Sequence, residues 1–189
     1  MSRLPLHTTP DGLDGEALDV FRAIEKSRGF VLGVFAALMN SPKVAQLVAD
    51  LGGYMRFGSV LPDAVRELTI LASLRECDCQ FEWSFHEGFA LKAGIPQETI
   101  DVVKYGRDLA TVAPEHAEII QGARELLSRH RICDPTLAAL TARHDTQTVT
   151  ELIALVGYYA MASCVLNAFE VPAHPGAVVL PERPLVSTT

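Results

Sequence analysis

Apolar and polar positions recur at helical spacing along almost the whole chain, and prolines cut that pattern into segments. Pro42, Pro62, Pro96, Pro114 and Pro135 each stand at the head of a periodic stretch, where a missing N–H and a fixed φ are best tolerated. Ser41 and Asp134 offer capping side chains just ahead of two of them. Gly94 and Gly106 close periodic stretches and suit helix ends. The pattern predicts helices near 14–27, 30–39, 42–57, 62–76, 79–93, 97–105, 115–130, 135–143 and 147–169. Alternating Val/Ile/Thr runs are nearly absent. The fold class is therefore all-α, with eight or nine helices in one domain over residues 1–189. Val178-Val179-Leu180 lies among prolines and reads as part of an extended C-terminal tail, 173–189, laid over another surface or partly free.

Two segments are apolar nearly all round: 30–39, and 147–169 with Leu152, Ile153, Leu155, Val156, Tyr158, Tyr159, Met161 and Val165. A helix with no polar face is buried. In a chain of this size part of that cover is expected from a second copy, so a homo-oligomer is expected.

Charge removes some function classes. The net charge is −7, and a nucleic-acid surface needs Lys and Arg in excess. The apolar run Phe30 to Met39 is about half of a bilayer span. No secretory signal is evident at the N-terminus. The four cysteines (Cys77, Cys79, Cys133 and Cys164) follow no disulfide-framework spacing. A cytoplasmic protein with neither a membrane nor a nucleic-acid partner is expected.

Candidate chemistry concentrates in one stretch. Cys79, Glu82 and His86 stand at offsets 0, +3 and +7, within one stripe of a helix at about 100° per residue. Trp83 reads as sharing that face, with Phe81, Phe85, Phe89 and Leu91 on the other. Glu82 and His86 are an i,i+4 pair in reach of a direct hydrogen bond, the arrangement general acid–base catalysis uses. Glu67 is followed on its face by Ile70, Leu71 and Leu74, so its carboxylate points inward; an antiparallel return through 75–78 brings it beside His86. Plainer readings stand alongside: an exposed Glu82/His86 pair, Glu67 tied to Arg66 or Arg75, Cys79 as a small buried hydrophobe, Trp83 as core. No metal is expected, since H-E-x-x-H and paired C-x2-C are missing. Neither a phosphate loop nor G-x-S-x-G occurs.

The order and spacing of Glu67, Cys79, position 82 and His86 resemble those of the carboxymuconolactone decarboxylase/AhpD-like superfamily. Leu61-Pro-Asp-Ala-Val-Arg-Glu-Leu, Ala90-Leu-Lys-Ala-Gly-Ile-Pro, Glu151-Leu-Ile-Ala-Leu-Val-Gly-Tyr-Tyr and Leu166-Asn-Ala-Phe-Glu-Val-Pro are similar to its helices. The resemblance covers a core of about 30–172. It implies an AhpD-like helical domain that assembles as homotrimers or homohexamers, with sites near subunit contacts. In the thiol-peroxidase branch two thiols work with a Glu and a His. Here Cys79 matches the first thiol, Glu67 and His86 the proton relay, and Glu82 replaces the second thiol.

That replacement points to the non-redox, decarboxylase-like branch, which the resemblance describes as free of cofactors and acting on small carboxylates or lactones. The expectation is a lyase or isomerase in which His86 and Glu82 move protons, assisted by Glu67. Trp83, Tyr159 and Arg66 are candidate substrate contacts, and Arg56, Arg66 and Arg75 candidate counter-charges. Two rival readings are a one-thiol peroxidase, with Cys79 at a helix N-terminus lowered in pKa, and a non-catalytic oligomeric binding protein whose site is sealed.

Overall fold

The structure is a computed structural model and describes residues 2–174 and 176–182. Among these residues the regular elements are nine helices and no strand. They are α1 (Gly15–Arg28), α2 (Gly33–Leu38), α3 (Pro42–Phe57), α4 (Asp63–Glu76), α5 (Gln80–Lys92), α6 (Gln97–Lys104), α7 (Pro114–Arg129), α8 (Asp134–Arg143) and α9 (Thr146–Ala168).

Proline placement follows the expected logic. Pro42, Pro114 and Pro135 lie in first turns, while Pro62 and Pro96 are N-caps. The side-chain caps differ. Ser41 makes no capping bond, and Asp134 is already helical. The start of α8 is held from outside instead: the buried Glu125 of α7 accepts the N–H of Cys133 at 2.8 Å and the hydroxyl of Thr136 at 3.1 Å. A carboxylate from a neighbouring helix thus anchors the residue before α8 and a hydroxyl in its first turn, in place of a local cap.

The expected 30–39 helix is shorter. Leu32 is extended, and Gly29 and Gly33 have φ of 83° and 55°, left-handed values that glycine adopts at little cost. The chain turns twice there, and Phe30 and Leu32 stay partly exposed. Gly33 also has no room for a side chain, because a Cβ would meet the Phe81 ring. Phe21 and Ile24 of α1 are buried, so the hydrophobic core also draws on residues upstream of 30.

At the centre lies α4, buried on every side from Glu67 through Arg75 and packed against α5, α6, α7 and α9. Long and apolar, α9 has the length and composition to cross a membrane, a feature the run-length reading misses, yet half of its apolar window is buried inside the fold against α4 and α2. It behaves as a core helix with one face left uncovered. Glu151 of α9 staples the entry to α4. Its carboxylate accepts the hydroxyls of Ser59 (2.6 Å) and Tyr54 (2.7 Å), the Val60 N–H (3.0 Å) and the Gln147 amide (3.0 Å).

Part of the expected tail is ordered against the body. Leu180 is buried, its N–H donates to Gln80 Oε1 at 2.8 Å, and its carbonyl accepts from Gln80 Nε2 at 3.1 Å. Arg75 donates to the Pro181 carbonyl at 2.8 Å. The remainder, residues 175 and 183–189, lies outside the described residues.

Candidate active site

The antiparallel turn from α4 to α5 puts Glu67 against His86. Glu67 Oε2 is 2.7 Å from His86 Nδ1, and both residues are buried. A carboxylate on an apolar helix face is costly unless it is hydrogen-bonded, and the imidazole supplies that bond. On the other side of Glu67, Arg66 Nε lies 3.7 Å from Oε1. Arg66 is itself held by Asp63 at 2.7 Å and the Leu61 carbonyl at 3.5 Å.

His86 Nε2 faces the opposite way. Tyr159 Oη is 3.2 Å from it and Glu82 Oε2 is 3.7 Å from it. The expected direct Glu82–His86 hydrogen bond is therefore not formed: Glu82 stays at ion-pair distance from Nε2, where Tyr159 is the closer group, and the imidazole's carboxylate hydrogen bond is to Glu67, at Nδ1. With Nδ1–H donated to the Glu67 carboxylate, Nε2 presents its lone pair to the Tyr159 hydroxyl. The Phe89 and Tyr159 rings stand edge-on to the imidazole, at 5.6 and 5.2 Å between centroids, and fix its tilt.

Burial sets the proton affinities around Nε2. It pushes the Glu82 carboxyl above its usual 4.5, against the opposing charges of His86, Arg28 and Arg56. It also raises Tyr159 well above 10, with help from the nearby carboxylates. One acceptor nitrogen thus looks onto a phenol that keeps its proton and a carboxyl that releases its own reluctantly.

These groups open onto a cavity of about 290 Å³. Its polar wall is Arg28, Arg56, Arg66, Glu67, Glu82, His86 and Tyr159, and its apolar wall includes Phe35, Phe81, Phe85, Phe89 and Tyr158. Gly52 lets α3 approach closely, since a Cβ there would strike the Tyr158 hydroxyl.

The faces of α5 sort differently from the sequence expectation. Phe81, Phe85 and Phe89 lie on the cavity side with Glu82 and His86. Trp83, about 100° round the helix from Glu82, is fully buried and absent from the cavity wall. Its indole N–H donates to Glu87 at 2.8 Å, and Glu87 in turn binds Lys104 of α6 at 3.1 Å. Trp83 is a packing residue here, not a substrate contact. Cys79 is likewise fully buried and off the cavity wall. Although it caps α5, burial pushes its thiol up to about 11, so the expected lowering does not occur: desolvation outweighs the helix terminus. Arg75 turns to Asp78 and the tail, away from the cavity.

Tyr159 and Arg66 do line the cavity, as does Arg56. Arg28 is the residue sequence reasoning missed. It sits in the last turn of α1, where a cation has a routine role at the helix C-terminus, and no local motif separates the two uses.

The sequence model of the carboxymuconolactone decarboxylase family matches residues 42–111, which hold Glu67, Glu82 and His86. Among solved structures the chain is similar to the alkylhydroperoxidase AhpD core of an uncharacterized peroxidase-related protein from Ralstonia eutropha JMP134, with a TM-score of 0.73 and 16% identity over 92% of this chain and 93% of that one. An uncharacterized peroxidase-related protein from Silicibacter sp. TM1040 gives a TM-score of 0.73 and 14% identity over 92% of each chain. The debrominase Bmp8, in its apo form, gives 0.68 and 12% over 85% of this chain and 87% of that one. At such identities the likeness is one of fold. The comparison with curated proteins gives no match.

Proposed function

Starting from a chain of the carboxymuconolactone decarboxylase/AhpD-like superfamily, we propose a cofactor-independent lyase or isomerase that moves a proton on a small carboxylate or lactone. The observation that carries this is the Glu67–His86 pair at 2.7 Å, with Nε2 turned into an open cavity beside Tyr159.

In this reading His86 Nε2 takes a proton from the carbon next to a substrate carbonyl, and Glu67 stabilises the imidazolium that forms. The electron pair moves onto the carbonyl oxygen. The Tyr159 hydroxyl is the donor placed to meet that oxyanion, with the Glu82 carboxyl, whose proton affinity burial raises, beside it. Returning the proton to another carbon isomerises the substrate. In a decarboxylation the C–C bond to the carboxylate breaks, carbon dioxide leaves, the electron pair enters the same enolate, and the carbon takes a proton that Nε2 of His86 or the Glu82 carboxyl has first taken up from solvent. Burial of Cys79 and its raised pKa weigh against a thiol mechanism, and an accessible cavity weighs against a sealed binding protein.

The same reading includes assembly as a homotrimer or homohexamer in a reducing, cytoplasmic setting. Its support is an outward apolar row on α3 (Val44, Leu47, Leu51, Tyr54 and Phe57, all exposed) and four free cysteines among the described residues.

The test is incubation in D₂O with carboxylated γ-lactones and β-keto acids, followed by NMR for deuterium uptake and carbon dioxide release. Wild-type protein should turn over at least one of these compounds, and His86→Ala should lose about 100-fold or more. Equal rates in the two proteins would overturn the reading.

A further inference from the structure

The cavity holds three arginines, and they differ in what they already hold. Arg66 is committed to Asp63, to the Leu61 carbonyl and to the side of Glu67. Arg56 makes no hydrogen bond or ion pair with any described residue; its guanidinium lies 5.2 Å from the centroid of Phe89 and 5.6 Å from that of Phe57. Arg28 donates once, from Nη2 to the Ala49 carbonyl at 2.9 Å. Its Nε is buried with no hydrogen-bond partner, which is rare for a buried donor. Arg66 Nε also lacks a hydrogen bond, but it has the Glu67 carboxylate 3.7 Å away, whereas no carboxylate of the described residues lies within ion-pair distance of Arg28. Glu82 is not within ion-pair distance of either.

Geometry links the two spare cations to the proton-moving nitrogen. Phe89 stands between Arg56 and His86, 5.2 Å from the first and 5.6 Å from the second. The Arg28 guanidinium lies 4.4 Å over the Phe35 ring. Stacking a guanidinium on an aromatic face leaves its N–H edge free, and that edge matches a carboxylate. The same cavity is lined by Phe35, Phe81, Phe85 and Phe89. About 290 Å³ is at the small end of ligand pockets, which run from roughly 300 to 1,000 Å³.

We propose that Arg28 and Arg56 together hold the carboxylate of the substrate, and that this substrate is a monocarboxylate bearing a flat, apolar ring that lies against the phenylalanine wall. The inference rests on the cavity being a substrate site, and it narrows the substrate class. A single anion is specified because the third arginine is already neutralised. A ring is specified because an open-chain polar acid would leave four aromatic faces facing water.

Binding is tested on the whole protein by calorimetry with three probes: benzoate, acetate and benzamide. Benzoate should bind, with acetate (no ring) and benzamide (no charge) each at least about tenfold weaker. Arg56→Met and Arg28→Met should each weaken benzoate by about tenfold or more. Arg56 has no polar partner to lose, so its variant should keep the wild-type melting temperature and serve as the folded control. His86→Ala should keep benzoate affinity within a few-fold while losing turnover. If arginine-dependent benzoate binding holds and no carboxylate is turned over, proton transfer falls and this inference stands. Undetectable benzoate binding at about 10 mM (weaker than roughly 3 kcal/mol of affinity), acetate or benzamide as tight as benzoate, or affinity unchanged in both arginine variants would overturn it.

Discussion

Glu67 Oε2 and His86 Nδ1 are 2.7 Å apart across the α4–α5 turn, although nineteen residues separate them in sequence. This bond fixes which imidazole nitrogen faces the cavity, and several outcomes depend on it.

Glu67→Gln keeps the size of the side chain but removes the negative charge that supports an imidazolium. Turnover should fall by about 100-fold or more, with the fold retained by circular dichroism. Glu67→Ala should in addition lower stability by about 1–3 kcal/mol, because a buried ring N–H loses its acceptor. Full activity in Glu67→Gln would show that His86 works without the pair.

Glu82 has its proton affinity raised by burial, so the folded protein binds that proton more tightly than the unfolded chain. The resulting stabilisation is complete below the ordinary value of 4.5 and disappears as pH rises through the higher folded-state value. Melting curves of wild type and Glu82→Gln across that range should therefore diverge in favour of the variant as pH increases. A constant difference would place Glu82 in water.

Glu151 titrates in the opposite sense. Hydrogen bonds from Ser59, Gln147 and Tyr54 lower its carboxyl to about 2, so its contribution is present above the unfolded value near 4.5 and is lost as pH falls toward 2. Glu151→Gln should destabilise by about 2 kcal/mol at neutral pH, and denaturant titrations should show that gap closing in acid.

Cys79 is fully buried with its thiol raised to about 11, whereas Cys164 is exposed. Iodoacetamide at neutral pH should label Cys164 first and leave Cys79 unmodified in the native protein, as read by peptide mass spectrometry. Cys79→Ser should retain turnover. Rapid native labelling of Cys79 would revive a thiol mechanism.

Helix positions, and the pairing of Glu67 with His86 that follows from an inward carboxylate and a short antiparallel return, were readable from spacing alone. The facing of α5 was not. Apolar residues lie on both of its sides, and helical arithmetic gives the angle between Trp83 and Glu82 without saying which arc the core covers. The decision came from α6, whose Lys104 and the adjacent Glu87 give the indole N–H and a buried ammonium a shared partner. Arg28 was hidden for a different reason: it reaches the cavity from α1, a contact between distant segments that leaves no periodic trace. The caps of α8 escaped notice in the same way, since Glu125 acts from another helix.

The clasp between Leu180 and Gln80 has a practical corollary. Gln80 is the first residue of α5 and stands two positions before Glu82, so residues 178–182 buttress the opening turn of the helix that bears the acid. Trimming the chain before position 178 to ease crystallisation would remove that brace from the helix carrying Glu82 and His86, so binding or rate measurements on such a shortened protein would describe an altered cavity.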